Sequence, residues 1–154
     1  MNHIPSYYNQ AEDKKPGKPE ILAPAGGKEA FLAALAAGAD AVYCGLKHFS
    51  ARMAAENFTV EELIPLTRLA RQRGTAVYVA LNSLIKPDEI DMAAALLDRL
   101  NRDVNPDALI IQDLGFLELA RQVGFTGQIH LSTLANAGFS EAIKAMGRFP
   151  EVTR

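Results

Sequence analysis

The 154 residues are 49% hydrophobic and 22% charged, the balance of a globular domain long enough to bury a core rather than of a disordered chain. A formal net charge of -2 excludes a global positive field toward nucleic acid or anionic membrane, although a local basic face stays open. The single cysteine, Cys44, excludes an internal disulfide and a multi-cysteine metal site built from this chain alone.

No apolar run reaches the roughly 18 residues that span a bilayer, so no membrane segment is expected. No basic-then-hydrophobic leader opens the sequence, which makes the cytoplasm the expected location. Residues 1–19 are polar and broken by Pro5, Pro16, Gly17 and Pro19, and read as a flexible lead-in to a domain over 20–154.

From Glu20 onward, short apolar runs alternate with segments of helical period. The runs lie at 21–23, 41–44, Ala76–Leu81, Ala108–Ile111 and Gln128–Leu131, and suit strands buried on both faces. The first helix is predicted over 28–37, with Phe31, Leu32 and Leu35 on one stripe. The second covers 60–73, with Leu63, Leu66, Leu69 and Ala70 facing inward. The third covers 88–100 on Ile90, Ala94, Leu97 and Leu100; 115–123 and Ser140–Met146 are shorter versions.

The punctuation agrees. Gly38, Gly74 and Gly124 follow helices where a left-handed cap belongs. Thr59 and Glu62 form a capping box, Asp88 meets the positive end of a helix dipole, and Pro65 is expected within about the first turn. Five strands alternating with helices imply right-handed parallel crossovers, in either a doubly wound sheet or a barrel. No GxGxxG turn follows the first strand, and polar residues gather at the carboxyl ends of successive strands, so a parallel (β/α) barrel is the preferred architecture.

Those strand ends hold the candidate chemistry. They carry Pro24-Ala25-Gly26-Gly27, then Cys44-Gly45, Asn82-Ser83, Gln112-Asp113 and His130-Leu131-Ser132-Thr133, with Asn136 close behind. Substrate-binding candidates are Arg52, Asn82, Gln112, Asp113, His130, Ser132, Thr133 and Asn136; no catalytic residue is assigned and no metal-ligand spacing is present.

Most of these features have a plain structural reading beside the functional one. Gly26-Gly27-Lys28 fits a tight turn better than an anion cradle. Cys44 reads as a buried small hydrophobe rather than a nucleophile. The 46–58 segment is too long for a routine connection and holds His48, Arg52, Glu56 and Asn57 between Phe49 and Phe58, so Arg52 is a candidate contact for phosphate or carboxylate. Asp113 caps the next helix or acts as an acid or base, with the cap preferred. His130 shares one side of its strand with Ser132, and a buried and a functional histidine are weighed equally. The three arginines between Arg68 and Arg73 read as a solvated face, only weakly suggesting RNA.

Five blocks taken in order carry a family likeness. They are Glu20-Ile21-Leu22-Ala23-Pro24-Ala25-Gly26, Gly38-Ala39-Asp40-Ala41-Val42-Tyr43-Cys44-Gly45, Asn57-Phe58-Thr59, Asp107-Ala108-Leu109-Ile110-Ile111-Gln112-Asp113 and His130-Leu131-Ser132-Thr133-Leu134-Ala135-Asn136. Together they resemble the start of the peptidase U32 family, the collagenase-like proteins.

The resemblance implies a TIM-like barrel. It also implies an activity either named as collagen degradation or belonging to hydroxylation of transfer or ribosomal RNA or of ubiquinone. Family members of the latter kinds hold an iron–sulfur (4Fe-4S) cluster on cysteines later in the chain. Cys44 matches none of those positions, so no cofactor is expected on this chain itself.

The sequence reaches Pro150-Glu151-Val152-Thr153-Arg154 about where a sixth strand should begin, which leaves the expected barrel incomplete. Five strands cannot close a barrel of eight, so unpaired edges and uncovered apolar faces are expected. The chain is therefore read as an N-terminal part of such a protein, inactive by itself and prone to associate or aggregate. The alternative is a non-catalytic half-barrel that completes a site with a partner chain. RNA or a second U32-type chain are the partners this implies.

Overall fold

The computed structural model describes residues 19–51 and 56–154. The lead-in expected over 1–19 thus lies, apart from Pro19, outside the described residues. Five strands alternate with five helices: β1 (Leu22–Ala25), α1 (Lys28–Ala36), β2 (Ala41–Gly45), α2 (Val60–Gln72), β3 (Ala76–Leu81), α3 (Ile90–Arg99), β4 (Ala108–Ile111), α4 (Leu114–Gln122), β5 (Gln128–Leu131) and α5 (Ser140–Met146). All strand pairs are parallel, in the order β1-β2-β3-β4-β5.

That order decides between the two architectures. Right-handed crossovers taken always in the same direction place every helix on one face of the sheet, whereas a doubly wound sheet reverses direction partway. The result is an unclosed arc of parallel barrel wall. A sixth strand position is already begun: Val152 bridges Ile129 in parallel, Thr153 N–H donates to the Ile129 carbonyl at 2.8 Å, and Leu131 N–H to that of Arg154 at 2.7 Å.

The two faces differ. The helix-facing side is a continuous core that includes Phe31, Val42, Cys44, Phe58, Leu63, Leu97, Leu109 and Phe116. The inner, concave side holds a smaller layer of Ala41, Tyr78 and Ala108, with Tyr43, Ala76 and Ile110 against it. Period-2 alternation therefore exists, but both faces are apolar enough to make each strand read as an unbroken run.

Local chemistry sets the helix ends. Gly38, Gly74 and Gly124 have φ of 75°, 70° and 67°, the left-handed turn that a Cβ would strain. Thr59 accepts from Glu62 N–H at 3.2 Å while the Glu62 carboxylate accepts from Thr59 N–H at 2.8 Å, closing the capping box.

Two expectations are corrected. Pro65 is the sixth residue of α2, past the first turn, so the Glu61 carbonyl forfeits its helical hydrogen bond. On α3 the buried stripe is Ala93 and Leu97, continued by Leu100 and Val104 in a π-helical turn (Leu100–Val104), while Ile90 is exposed; the sequence stripe was rotated by one residue at its start. The arginine-rich end of α2 is exposed at Arg68, Arg71 and Arg73, as a solvated face should be, and one of the three also makes a tertiary contact. Arg71 donates to the Val104 carbonyl at 2.9 Å and to that of Asn105, capping the π turn from outside.

Candidate functional site

The described parts of the β2–α2 connection, 46–51 and 56–59, are tied to the carboxyl ends of β1, β2 and β3. Asn57 N–H donates to the Gly26 carbonyl beyond β1, Phe58 N–H to Gly45 at the end of β2, and Lys47 N–H to Phe58, each at 3.0 Å. On the other side Ala51 N–H donates to Asn82 Oδ1 at 3.0 Å, tying the loop to the end of β3.

Gly45 makes room for this crossing. A Cβ there would meet Ser50 Oγ at 2.4 Å and Asn57 Oδ1 at 2.9 Å. Phe49 and Asn57 take φ of 59° and 51°. For a residue as bulky as phenylalanine this costs roughly 1–2 kcal/mol. Burying the Phe49 ring, edge-on to Phe116 at 5.6 Å between centroids, offsets it with about 1.5–3 kcal/mol.

Two sequence candidates hold backbone in place. Asn82 anchors the loop through its amide oxygen. Asp113 caps α4 by accepting from Gly115 N–H at 2.8 Å through one carboxylate oxygen, and accepts from Ile85 N–H at 3.0 Å through the other. The cap on α4 is as its sequence reading expects, and the second contact joins the segment after β3 to the end of β4. Gln112 is half-buried, on the inner side by alternation with Ile111. Arg52 lies outside the described residues.

Ser132, Thr133 and Asn136 come together. The Ser132 hydroxyl accepts from Leu134 N–H at 3.2 Å and starts a short 3-10 turn (Thr133–Ala135), which Asn136 closes at φ 53°. All three border a cavity of about 410 Å³ between the end of β5, α5 and the sixth strand position, where Val152 and Arg154 form the far wall.

His130 sits one pleat deeper, on the inner face. Its ring stands edge-on to Tyr78 at 4.8 Å, and Nε2 pairs with Gln128 Oε1 at 2.9 Å. Tyr78 donates its hydroxyl to Glu20 Oε1 at 2.7 Å, and Arg154 reaches Glu20 Oε2 at 2.8 Å with its guanidinium over the Tyr78 ring. Sequence reasoning missed Glu20, Tyr78 and Arg154. The available signal was the repeated Ala-Val-Tyr of β2 and β3, whose tyrosines Tyr43 and Tyr78 are register partners on the inner face.

These groups make stability depend on pH. Burial, helped by repulsion from Arg154 and opposed by Glu20, holds the His130 pKa below the ordinary histidine value. The unfolded chain then binds that proton more readily, so the stabilisation is full above about 6.5 and is lost as pH falls. Hydrogen bonds from Arg154 and Tyr78 hold Glu20 below the usual carboxylate range, and its contribution disappears in the same direction at lower pH. The urea midpoint should therefore fall between about pH 7 and pH 5, and His130→Gln should flatten that part of the profile. A profile unchanged by the substitution would show that His130 is not its source.

Cys44 lies on the helix side with its thiol 3.9 Å from the Tyr78 carbonyl oxygen, and burial pushes its pKa up to about 12. Ellman's reagent should leave it unmodified in the folded chain and modify it stoichiometrically in denaturant. Rapid labelling without unfolding would contradict this burial.

The same thiol answers whether this chain fits an iron–sulfur cluster. It is the only cysteine in the sequence, desolvated and turned into the core. No group of three or more histidine, cysteine or acidic side chains among the described residues is arranged to hold a metal ion. The residues present do not fit the cluster. Among the described residues, too, no helix is long and apolar enough to cross a membrane.

Comparison with known proteins extends the reading. The family model described as peptidase family U32 matches residues 26–149. A collagenase of Porphyromonas gingivalis is 33% identical over 134 residues, covering 86% of this chain and 32% of its own length. The tRNA hydroxylation protein P1 of Bacillus subtilis is 36% identical, with 75% of this chain and 27% of that protein covered. The 23S rRNA 5-hydroxycytidine C2501 synthase of Escherichia coli is 38% identical over 65% of this chain and 15% of its own.

Among solved structures, the U32 peptidase Mk0906 superposes with a TM-score of 0.65 over 92% of this chain and 60% of that one; at 14% identity the likeness is one of fold. The chain thus spans about a third or less of the length of these curated relatives. With the family model covering most of the sequence and the five motif blocks in their expected order, the chain belongs to peptidase family U32.

Proposed function

We propose that these strand–helix units form the first wall of a barrel that acts on RNA in hydroxylation, and that this wall binds substrate rather than carrying out the reaction. The observation that supports this most is the character of the strand ends. Asn82, Gln112, Ser132, Thr133 and Asn136 offer neutral amides and hydroxyls, the groups that read nucleobase edges. Asp113 is spent on two backbone N–H groups and Cys44 is buried, so neither stands ready as base or nucleophile.

The relatives named for tRNA and rRNA hydroxylation support RNA as the substrate class, while the buried Cys44 and the engaged Asp113 leave the literal collagenase reading without a nucleophile or base from either side chain. A net charge of -2 gives little long-range attraction, so affinity rests on local contacts and should be modest.

The test is a pair of assays on the 154-residue chain. Gelatin should remain intact with and without chelator or added iron, while a single-stranded RNA oligonucleotide should bind. Gelatin cleavage by the purified chain, or no RNA binding at any salt concentration, overturns the proposal.

A second reading is favoured by the open concave face. The Glu20–Tyr78–Arg154 network and the sixth-strand edge at Val152 lie on the side that further strands of a barrel would cover. On this reading the chain is a non-catalytic half that a second U32-type chain completes, and a cysteine-bearing barrel protein of that family should co-purify with it.

A further inference from the structure

We infer that the cavity at the end of β5 takes a single unstacked nucleotide, its base against the α5 wall and its phosphate toward Arg154. This rests on the RNA reading above and assigns it a place.

The cavity's size and chemistry both bear on the occupant. At about 410 Å³ it is in the range of small-molecule pockets, roughly 300–1,000 Å³, and holds one nucleotide rather than a stacked run. Ile143 and Met146 of α5 supply an apolar wall of the kind that takes the flat face of a base removed from its stack. Asn136 stands at the rim with both a carbonyl oxygen and an amide, so it can accept from and donate to one base edge. Ser132, whose oxygen already accepts from Leu134 N–H, keeps its hydroxyl proton to donate.

Among the described residues, Arg154 is the one charged side chain lining the cavity. Its contact with Glu20 uses a single guanidinium nitrogen, Nη2, and a guanidinium has donors to spare for a phosphate. With Glu20 held through Nη2 alone, the remaining guanidinium donors beside neutral donors and acceptors match one phosphodiester attached to an uncharged base. A basic peptide side chain is matched less well, and an acidic one is separated from a nucleotide by the peptide competition in the test.

The left-handed backbone at Asn136 gives a clean substitution. Asn136→Gly removes the amide and tolerates φ 53° without strain. Ile143, 62% exposed, accepts a charge without threatening the core, so Ile143→Asp places a carboxylate beside the nucleotide.

The experiment uses the whole chain and an RNA hexamer containing 4-thiouridine, with photocross-links mapped by mass spectrometry and affinity measured by fluorescence polarisation. Cross-links should fall within 132–154, and each substitution should weaken binding at least tenfold with unchanged circular dichroism. Should one variant misfold, the other and the cross-link map still decide.

Cross-links elsewhere with undiminished affinity in the variants would overturn this placement while leaving RNA as the substrate class. No cross-link and no binding would overturn both. Displacement of the hexamer by a collagen-like peptide at equal concentration would assign the cavity to peptide instead.

Discussion

Phe58→Ala should destabilise the chain by about 3–5 kcal/mol, the range for emptying a buried aromatic site. Phe58 is 2% exposed, and its ring meets Phe31 edge-on at 6.0 Å between centroids. Its backbone is as important as its ring. It bridges Leu46 in parallel, donates to Gly45 and accepts from Lys47, so the ring holds down the point where the β2–α2 loop crosses the strand ends.

The loss should appear as a lower urea midpoint, together with faster amide exchange at Lys47 and Phe58. Phe139→Ala makes a fitting control, because that ring is 62% exposed and should change stability by no more than about 0.5 kcal/mol. Equal effects for the two would mean that Phe58 does not pin the loop.

Asp113→Ala comes next in size. Losing an N-cap costs about 0.5–2 kcal/mol, and losing a hydrogen bond to a charged acceptor costs about 1.5–3 kcal/mol. Asp113 is only half-buried, so solvent replaces part of both, and a combined loss of about 2 kcal/mol is expected.

Asp113→Asn should recover much of it, since asparagine caps nearly as well. The ordering Asp, then Asn, then Ala in stability marks a structural carboxylate. A residue acting as acid or base would lose activity on conversion to Asn with stability unchanged, and that outcome would return Asp113 to the list of reacting groups.

How far the sequence speaks for the structure depends on the range of the interaction. The Thr59–Glu62 box, the Asp113 cap and the left-handed glycines involve residues a few positions apart, and each was readable in advance. Strand positions were readable too, because buried parallel strands advertise themselves as apolar runs.

The α3 stripe was misplaced at its start. Ile90 is the larger residue, but in the fold, where α3 packs against α4, Ala93 is the one buried, and side-chain size says nothing about helix rotation. Asn82 anchors Ala51 from 31 residues away, and Glu20 meets Arg154 from 134 residues away. Such contacts follow from the curvature of the sheet and leave no local trace. The sequence leaves His130 open between burial and function. Its Tyr78 and Gln128 contacts place it in the inner layer, one pleat below the strand ends.

The central claim is that these five strands are one arc of a barrel wall whose inner face and edges call for further strands. Multi-angle light scattering after size-exclusion chromatography of the purified chain tests it most directly. The account predicts concentration-dependent association above the 16.7 kDa of one chain, relieved when further barrel strands or a completing partner are supplied. A sharp monomer at 16.7 kDa over a wide concentration range, with a single cooperative unfolding transition, would contradict it.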